Sequence, residues 1–151
     1  METKYSNIFI DSWNNVIESF SSKQIKSADI TQPKDGAFNC DIFVYMGIIG
    51  DIKGLVYMSM DAETGKVLAS EMLGGIEITD VDEMVISAVG EMCNMIMGNA
   101  CSSISLMNTV VDITPPTVVV GQDMPQLEMK PSYNISFVLE DMDKINFNVA
   151  V

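Results

Sequence analysis

The amino-acid sequence predicts an α+β domain in which a mostly antiparallel sheet packs against long helices in two layers. Helix-like and strand-like segments alternate irregularly, without the repeated strand–helix order of parallel-sheet folds. Hydrophobic residues make up 48% of the 151 positions, which is enough for one core of ordinary size. No linker or low-complexity segment divides the chain. We therefore expect a single domain over residues 1–151.

The individual elements are predicted from hydrophobic periodicity and from turn-forming residues. In chain order they are a helix at 3–21, an irregular or edge strand with a turn at 23–38, a hairpin of 40–49 and 52–60, a helix at 62–73, a helix from Asp80 to about Ser103, and strands at 117–120, 127–129, 133–139 and 145–151.

The first helix and the hairpin have the clearest patterns. The apolar residues of the helix fall near one face and are Ile8, Trp13, Ile17 and Phe20. Pro33 and Gly36 interrupt the next segment, which favours an edge strand with a turn. Gly50 and Asp51 then separate two segments rich in Val, Ile, Phe and Tyr, and this arrangement is typical of a hairpin.

Capping residues and prolines set the bounds of the remaining elements. Asp61 can cap the second helix, which the Gly74-Gly75 pair can close. Asp80 is predicted to start the third helix, because Glu83 three residues on gives a capping-box-like arrangement. The Thr114-Pro115-Pro116 segment then breaks the chain, and the β-rich segments beyond it complete the sheet.

The formal net charge of -13 argues against nucleic-acid and membrane partners, because so acidic a chain repels phosphate backbones and anionic lipids. The N-terminus lacks the basic region and apolar run of a signal peptide. Residues 92–111 carry no charge, but they contain too many Asn, Ser and Gly residues for a membrane span. We therefore expect a cytoplasmic protein.

The absence of histidine excludes Ser-His-Asp catalysis, a histidine base and every histidine-containing metal site. The three cysteines form no C-x-x-C motif, which argues against a disulfide framework and a zinc site. Asp80, Asp82 and Glu83 are a weak metal alternative, since acidic residues at a helix N-terminus are better explained by the helix dipole. We expect no metal or cofactor of the chain's own.

The third helix combines an apolar side with a polar one. The apolar residues that group on one side are Val85, Ala88, Val89, Met92 and Ile96. Those on the opposite side are Glu83, Ser87, Gly90, Glu91, Asn94 and Gly98. The spacing i, i+4, i+7 makes Ser87, Glu91 and Asn94 neighbours on the helix surface.

Two glycines lie on this polar side, although each costs about 1 kcal/mol relative to alanine inside a helix. Gly90 and Gly98 can allow another protein's backbone to come close. The alternatives are a tight contact with the chain's own loop or a tolerated defect, and an exposed polar helix face is most often only solvated.

The pattern Ser87-x-x-x-Glu91-x-x-Asn94, followed by a proline at 115 or 116, resembles the signature of the CheC/CheX/FliY family of chemotaxis phosphatases. The strings EMCNMIMGNA at 91–100 and TPPTVVVG at 114–121 are similar to that family beyond the signature. The first helix offers only Asn14-x-x-x-Glu18-x-x-Ser21, which lacks the asparagine. A single motif in a chain of this length is most similar to the CheX type.

The resemblance implies hydrolysis of the phosphoaspartate of a CheY-like receiver. Asn94 would position the attacking water, and Glu91 would pair with the receiver's lysine. Ser87, Gly90 and Gly98 would support the contact. The resemblance also implies Mg²⁺ held by the receiver and a homodimer, for which strand-like segments near the C-terminus could expose a pairing edge.

A non-catalytic module that binds a response regulator, or resembles flagellar switch proteins in fold, is the alternative. Such a module would not need the asparagine, so the intact Glu91 and Asn94 pair favours the phosphatase.

Overall fold

A computed structural model describes residues 5–33, 40–121 and 132–151 of the chain. The helices in these ranges are α1 (Ser6–Phe20), α2 (Ala62–Met72) and α3 (Glu83–Ser105). The strands are β1 (Ile25–Thr31), β2 (Ile42–Gly50), β3 (Gly54–Met60), β4 (Val111–Ile113), β5 (Thr117–Val120), β6 (Tyr133–Leu139) and β7 (Ile145–Ala150).

The strands form one sheet in the order β1-β6-β7-β3-β2-β4, and every recorded pair is antiparallel. β5 also pairs with β2, opposite Ile42 to Tyr45, while β4 pairs with the last residues of the same strand, from Ile48 to Gly50. One side of β2 therefore pairs with two short strands, one after the other along its length. The predicted α+β class with a mostly antiparallel sheet is confirmed.

The hydrophobic core lies between the three helices and one face of the sheet. Alternate residues of β2 enter this core, as period-two side-chain geometry requires, beginning with Ile42, Val44 and Met46. Trp13 of α1 stacks on Phe137 of β6 at a ring-centroid distance of 4.2 Å. The helices are thus fixed to the sheet by direct side-chain packing, and they form the second layer.

Most predicted elements are present with small shifts of their ends, and β5 and the first strand of the last hairpin agree to the residue. The predicted strand at 127–129 lies outside the described residues. β4 was not predicted, because its three residues carry no periodic pattern of their own and are strand only through pairing with β2.

Two expectations from the sequence are wrong. Helix α3 begins at Glu83 with Asp82 as its cap, not at Asp80, because the Asp82 carboxylate accepts hydrogen bonds from the backbone amides of Met84 and Val85, at 3.0 and 3.3 Å. Within the described residues, the C-terminal strands β6 and β7 expose no pairing edge, since β6 lies between β1 and β7, and β7 lies between β6 and β3. Among the described residues, the outer strands are β1 on one side and the two short partners of β2, β4 and β5, on the other.

Within the described ranges, no helix is both long enough and apolar enough to cross a bilayer.

The cap of α3 gives a test of this helix boundary. We expect Asp82→Ala to lower the free energy of unfolding by about 1 kcal/mol, since it removes the acceptor of two amide hydrogen bonds. Asp80→Ala is the matched control. Asp80 is exposed, so its substitution removes the same charge without removing a helix cap. Urea denaturation of both variants measures the difference. Equal losses in the two variants would contradict the assignment.

Candidate functional site

Helix α3 buries the stripe that its sequence predicts. Val85, Val89, Met92 and Ile96 are fully buried, and Ala88 is nearly so. Cys93, Met97, Ala100 and Ile104 extend the same buried surface. The rotation of α3 about its axis is therefore set by packing, and it determines which residues face outward.

The predicted site residues Ser87, Glu91 and Asn94 face outward on this helix. Ser87 and Glu91 are exposed, and Asn94 is half-buried. Among the described residues, the structure records no hydrogen bond or ion pair for any of these three side chains. Their spacing places neighbouring Cβ atoms about 5–6 Å apart. A carboxylate and a carboxamide thus lie side by side on a rigid element, unengaged by the surrounding chain.

Gly98, one turn beyond Asn94, is half-buried, and a side chain there would meet open space. A Cβ atom built at this position finds no heavy atom within 4 Å. At Gly98 the surface of α3 is therefore bare backbone, open to an approaching molecule.

Gly90 does not lie on the open face, which corrects its predicted position as a partner-binding residue. It is buried, and a Cβ atom at this position would lie 3.2 Å from Cγ2 of Val118 and 3.8 Å from Cγ of Pro116. The segment leading into β5 passes across α3 at this point. Gly90 therefore packs tightly against the chain itself, which was one of its alternatives, although the nearest atom belongs to β5 and not to a loop.

A groove of about 490 Å³ adjoins the exposed carboxylate of Glu91. It lies between the end of α2 and the first turns of α3, and its lining residues are Met72, Leu73, Glu83, Met84, Ser87, Ala88 and Glu91. Leu73 and Met84 were not among the site residues predicted from the sequence. The signal in the sequence was the spacing of Met84. This apolar residue lies three residues before Ser87 and seven before Glu91, and therefore on the same side of the helix.

The described residues contain no group of three His, Cys, Asp or Glu side chains that could hold a metal ion. Of the acidic residues Asp80, Asp82 and Glu83, Asp82 uses its carboxylate to cap α3. Burial raises the pKa of the Cys93 thiol, next to Asn94 in sequence, to about 12, so it stays protonated near neutral pH and is a poor nucleophile. The open face can bind a cation through Glu91 and orient a small polar molecule through Asn94.

The related spacing on α1 does not give a second open site. The Asn14 side-chain amide donates a hydrogen bond to the carbonyl of Ile10 at 3.2 Å. The Ser21 hydroxyl donates a hydrogen bond to the Glu71 carboxylate. Two of the three polar positions in this pattern, Asn14 on α1 and Ser21 directly after it, are therefore engaged by the chain itself.

The family model described as "Chemotaxis phosphatase CheX" matches residues 42–138. A curated protein from Thermotoga maritima, "CheY-P phosphatase CheX", is 42% identical over 79 residues, which are 52% of this chain and 51% of that protein. The match thus spans about half the length of this relative.

Solved structures share the fold over nearly the whole chain. The chemotaxis protein CheX from Vibrio vulnificus superposes with a TM-score of 0.84 at 22% identity, over 98% of this chain and 99% of that one. CheX in a CheX–CheY–BeF₃–Mg²⁺ complex from Borrelia burgdorferi gives a TM-score of 0.78 at 25% identity, over 99% and 98% of the two chains. These likenesses agree with the sheet and helix order described above.

The two glycines of α3 should respond oppositely to the same substitution. We expect Gly90→Leu to lower the free energy of unfolding by about 1–3 kcal/mol, because the side chain must displace Val118. Gly98→Leu should leave stability unchanged or raise it by up to about 1 kcal/mol, since leucine is the better helix former and meets open space. Urea denaturation of both variants is the measurement. A destabilised Gly98→Leu variant would mean that this face is not open.

Proposed function

The chain belongs to the CheX family of chemotaxis phosphatases, and we propose that it hydrolyses the phosphoaspartate of a CheY-like response regulator. The observation that carries the proposal is the adjacent placement of Glu91 and Asn94 on the outer face of α3. The name of the Thermotoga maritima relative, a CheY-P phosphatase, supports the same substrate. This substrate would place the protein's action in the cytoplasm.

The proposed reaction needs modest assistance. An acyl phosphate is already reactive, and a hundredfold acceleration requires only about 2.7 kcal/mol of barrier lowering. Phosphoryl transfer passes through a loose transition state, so positioning and electrostatics supply most of the catalysis. These requirements suit a site without histidine, metal or ionised thiol.

Asn94 is the residue proposed to position water. Its carboxamide offers a donor and an acceptor in one plane, so it can hold a water in line with the phosphorus atom. The side chain is half-buried on a helix whose rotation is fixed by core packing, which limits its freedom before the partner arrives. Asn94 makes no hydrogen bond to the described part of its own chain, so no internal bond has to break when water binds.

Glu91 is proposed to pair with a lysine of the receiver. Its exposed carboxylate is a full negative charge one turn from Asn94, so the ion pair would set the register between the two proteins. Ser87 lies one turn before Glu91 and is proposed as a supporting contact. Gly98 would let the partner's backbone approach beyond Asn94, where there is open space.

The divalent ion of the reaction is proposed to belong to the receiver. The Borrelia burgdorferi complex contains Mg²⁺ together with CheY and BeF₃, which supports this division. The acidic surface of the chain also makes nucleic acid and anionic lipid poor partners.

A homodimer is part of the proposal. The outer strands β1, β4 and β5, rather than β6 and β7, are the sheet edges from which a second copy could extend the sheet. We expect sedimentation equilibrium at tens of micromolar protein to give twice the mass of one chain. A monomer mass over this range would exclude the dimer while leaving the proposed chemistry intact.

Substitutions at the two key residues should separate chemistry from docking. Asn94→Ala is expected to bind a beryllofluoride-locked receiver with wild-type affinity and to slow dephosphorylation by about a hundredfold, because its interaction forms in the transition state. Glu91→Lys should weaken binding by about a hundredfold or more, since it sets like charge against like. Titration of the locked receiver and single-turnover dephosphorylation measure the two effects.

Asn99→Ala is the matched control, because Asn99 is also a half-buried asparagine of α3 but contacts Asn15 of α1, at 3.3 Å. It should retain wild-type turnover. If Asn94→Ala does so too, the water-positioning role is wrong and a non-catalytic docking module becomes the better interpretation.

A further inference from the structure

An exposed apolar surface lies beside the proposed catalytic pair. Leu73 at the end of α2 is 40% exposed, and Met84 in the first turn of α3 is 45% exposed. Together with Met72 they are the large apolar side chains that line the groove next to Glu91, and we call these three residues the apolar shelf. Large apolar side chains contribute most to stability when they are removed from water, so the shelf is a surface that gains from being covered.

The geometry of α3 connects the shelf to Glu91. Met84, Ser87 and Glu91 are spaced i, i+3, i+7, which places them on one line of the helix. At a rise of 1.5 Å per residue, Met84 lies about 10 Å from Glu91 along the axis. A protein whose lysine meets Glu91 is therefore within reach of the shelf, and covering it requires no change in the backbone of α3.

The charge around the groove restricts what can cover it. The carboxylates of Glu83 and Glu91 both line the groove. No lysine or arginine occurs between Lys66 and Lys130, so α3 and the end of α2 contribute no positive charge. A second copy of this chain, with its net charge of -13, would bring like charge to the groove. An apolar surface with basic neighbours is the complementary occupant.

We propose that the apolar shelf is a second docking point for the response regulator, and that it takes an apolar side chain that flanks the lysine paired with Glu91. This inference rests on the function proposed above, because in that function the lysine that pairs with Glu91 belongs to the response regulator. Met84 of the shelf lies nearly three helical turns from Asn94, so in this arrangement the shelf touches no reacting atom. It therefore contributes equally to ground-state and transition-state binding, and it acts on affinity rather than on turnover.

The test is the double variant Leu73→Gln/Met84→Gln. Glutamine is close to both side chains in size and is a good helix former, and both positions are already exposed, so the fold should be retained. The matched control is Leu106→Gln/Met107→Gln, which changes the same two residue types at the opposite end of α3, where they are 86% and 53% exposed.

We expect the Leu73/Met84 variant to bind the beryllofluoride-locked receiver with Mg²⁺ about tenfold more weakly, with an unchanged single-turnover rate at saturating enzyme. The control should match the wild type in both measurements. Unchanged affinity in the Leu73/Met84 variant would overturn the proposal, and so would a slower saturating rate with unchanged affinity.

Two further readouts separate the possible failures. If sedimentation equilibrium shows a shifted monomer–dimer equilibrium in the Leu73/Met84 variant while its receiver affinity is unchanged, the shelf is a contact between copies and the proposal is wrong. If Glu91→Lys still abolishes receiver binding in that case, the proposed phosphatase function stands. If neither Glu91→Lys nor Asn94→Ala has any effect, the proposed function itself fails.

Discussion

Burial of one apolar stripe of α3 is the constraint on which the candidate site depends. An α-helix turns 100° per residue, so a change of one residue in the buried register would move Glu91 and Asn94 a quarter turn or more around the axis. Val85, Val89 and Met92 prevent this, because each is fully enclosed by the shared core of helices and sheet. The same core includes Trp13, which stacks on β6, so α1 and α3 are held by one packed unit. The outward residues are therefore positioned by the inward ones.

The strong acidity of the chain poses a problem for the proposed reaction. A phosphorylated receiver presents a phosphoryl group close to carboxylates, and a chain of net charge -13 repels such a surface at long range. Contacts at short range have to offset this repulsion. A lysine paired with Glu91 would replace a repulsive contact with an attractive one, and burial of the apolar shelf would add a contribution independent of charge. The two together would favour the receiver over other anionic surfaces.

Local patterns predicted the parts of the structure that depend on local forces. The buried stripe of α3 follows from a 3.6-residue period, and the outward positions of Ser87 and Glu91 follow from the same period. The same periodicity wrongly placed Gly90 on the open face. Pro116 and Val118 cover that position, and no periodicity within α3 contains this information. β4 was missed for a similar reason, since only pairing with β2 defines it. The cap of α3 was placed two residues early because Asp80 and Asp82 offer the same side chain, and only the observed hydrogen bonds distinguish them.

The contrast between α1 and α3 shows why sequence spacing alone does not make a site. Both helices carry a polar residue, a glutamate and a further polar residue at the same intervals. On α1 the first and last of these are bonded within the chain, to the carbonyl of Ile10 and to Glu71. A partner would have to compete with those hydrogen bonds, each worth about 0.5–1.5 kcal/mol net. On α3, Glu91 and Asn94 have no such internal bonds in the described structure, so a partner displaces only water. This difference favours α3 over α1 as the helix that contacts the proposed partner.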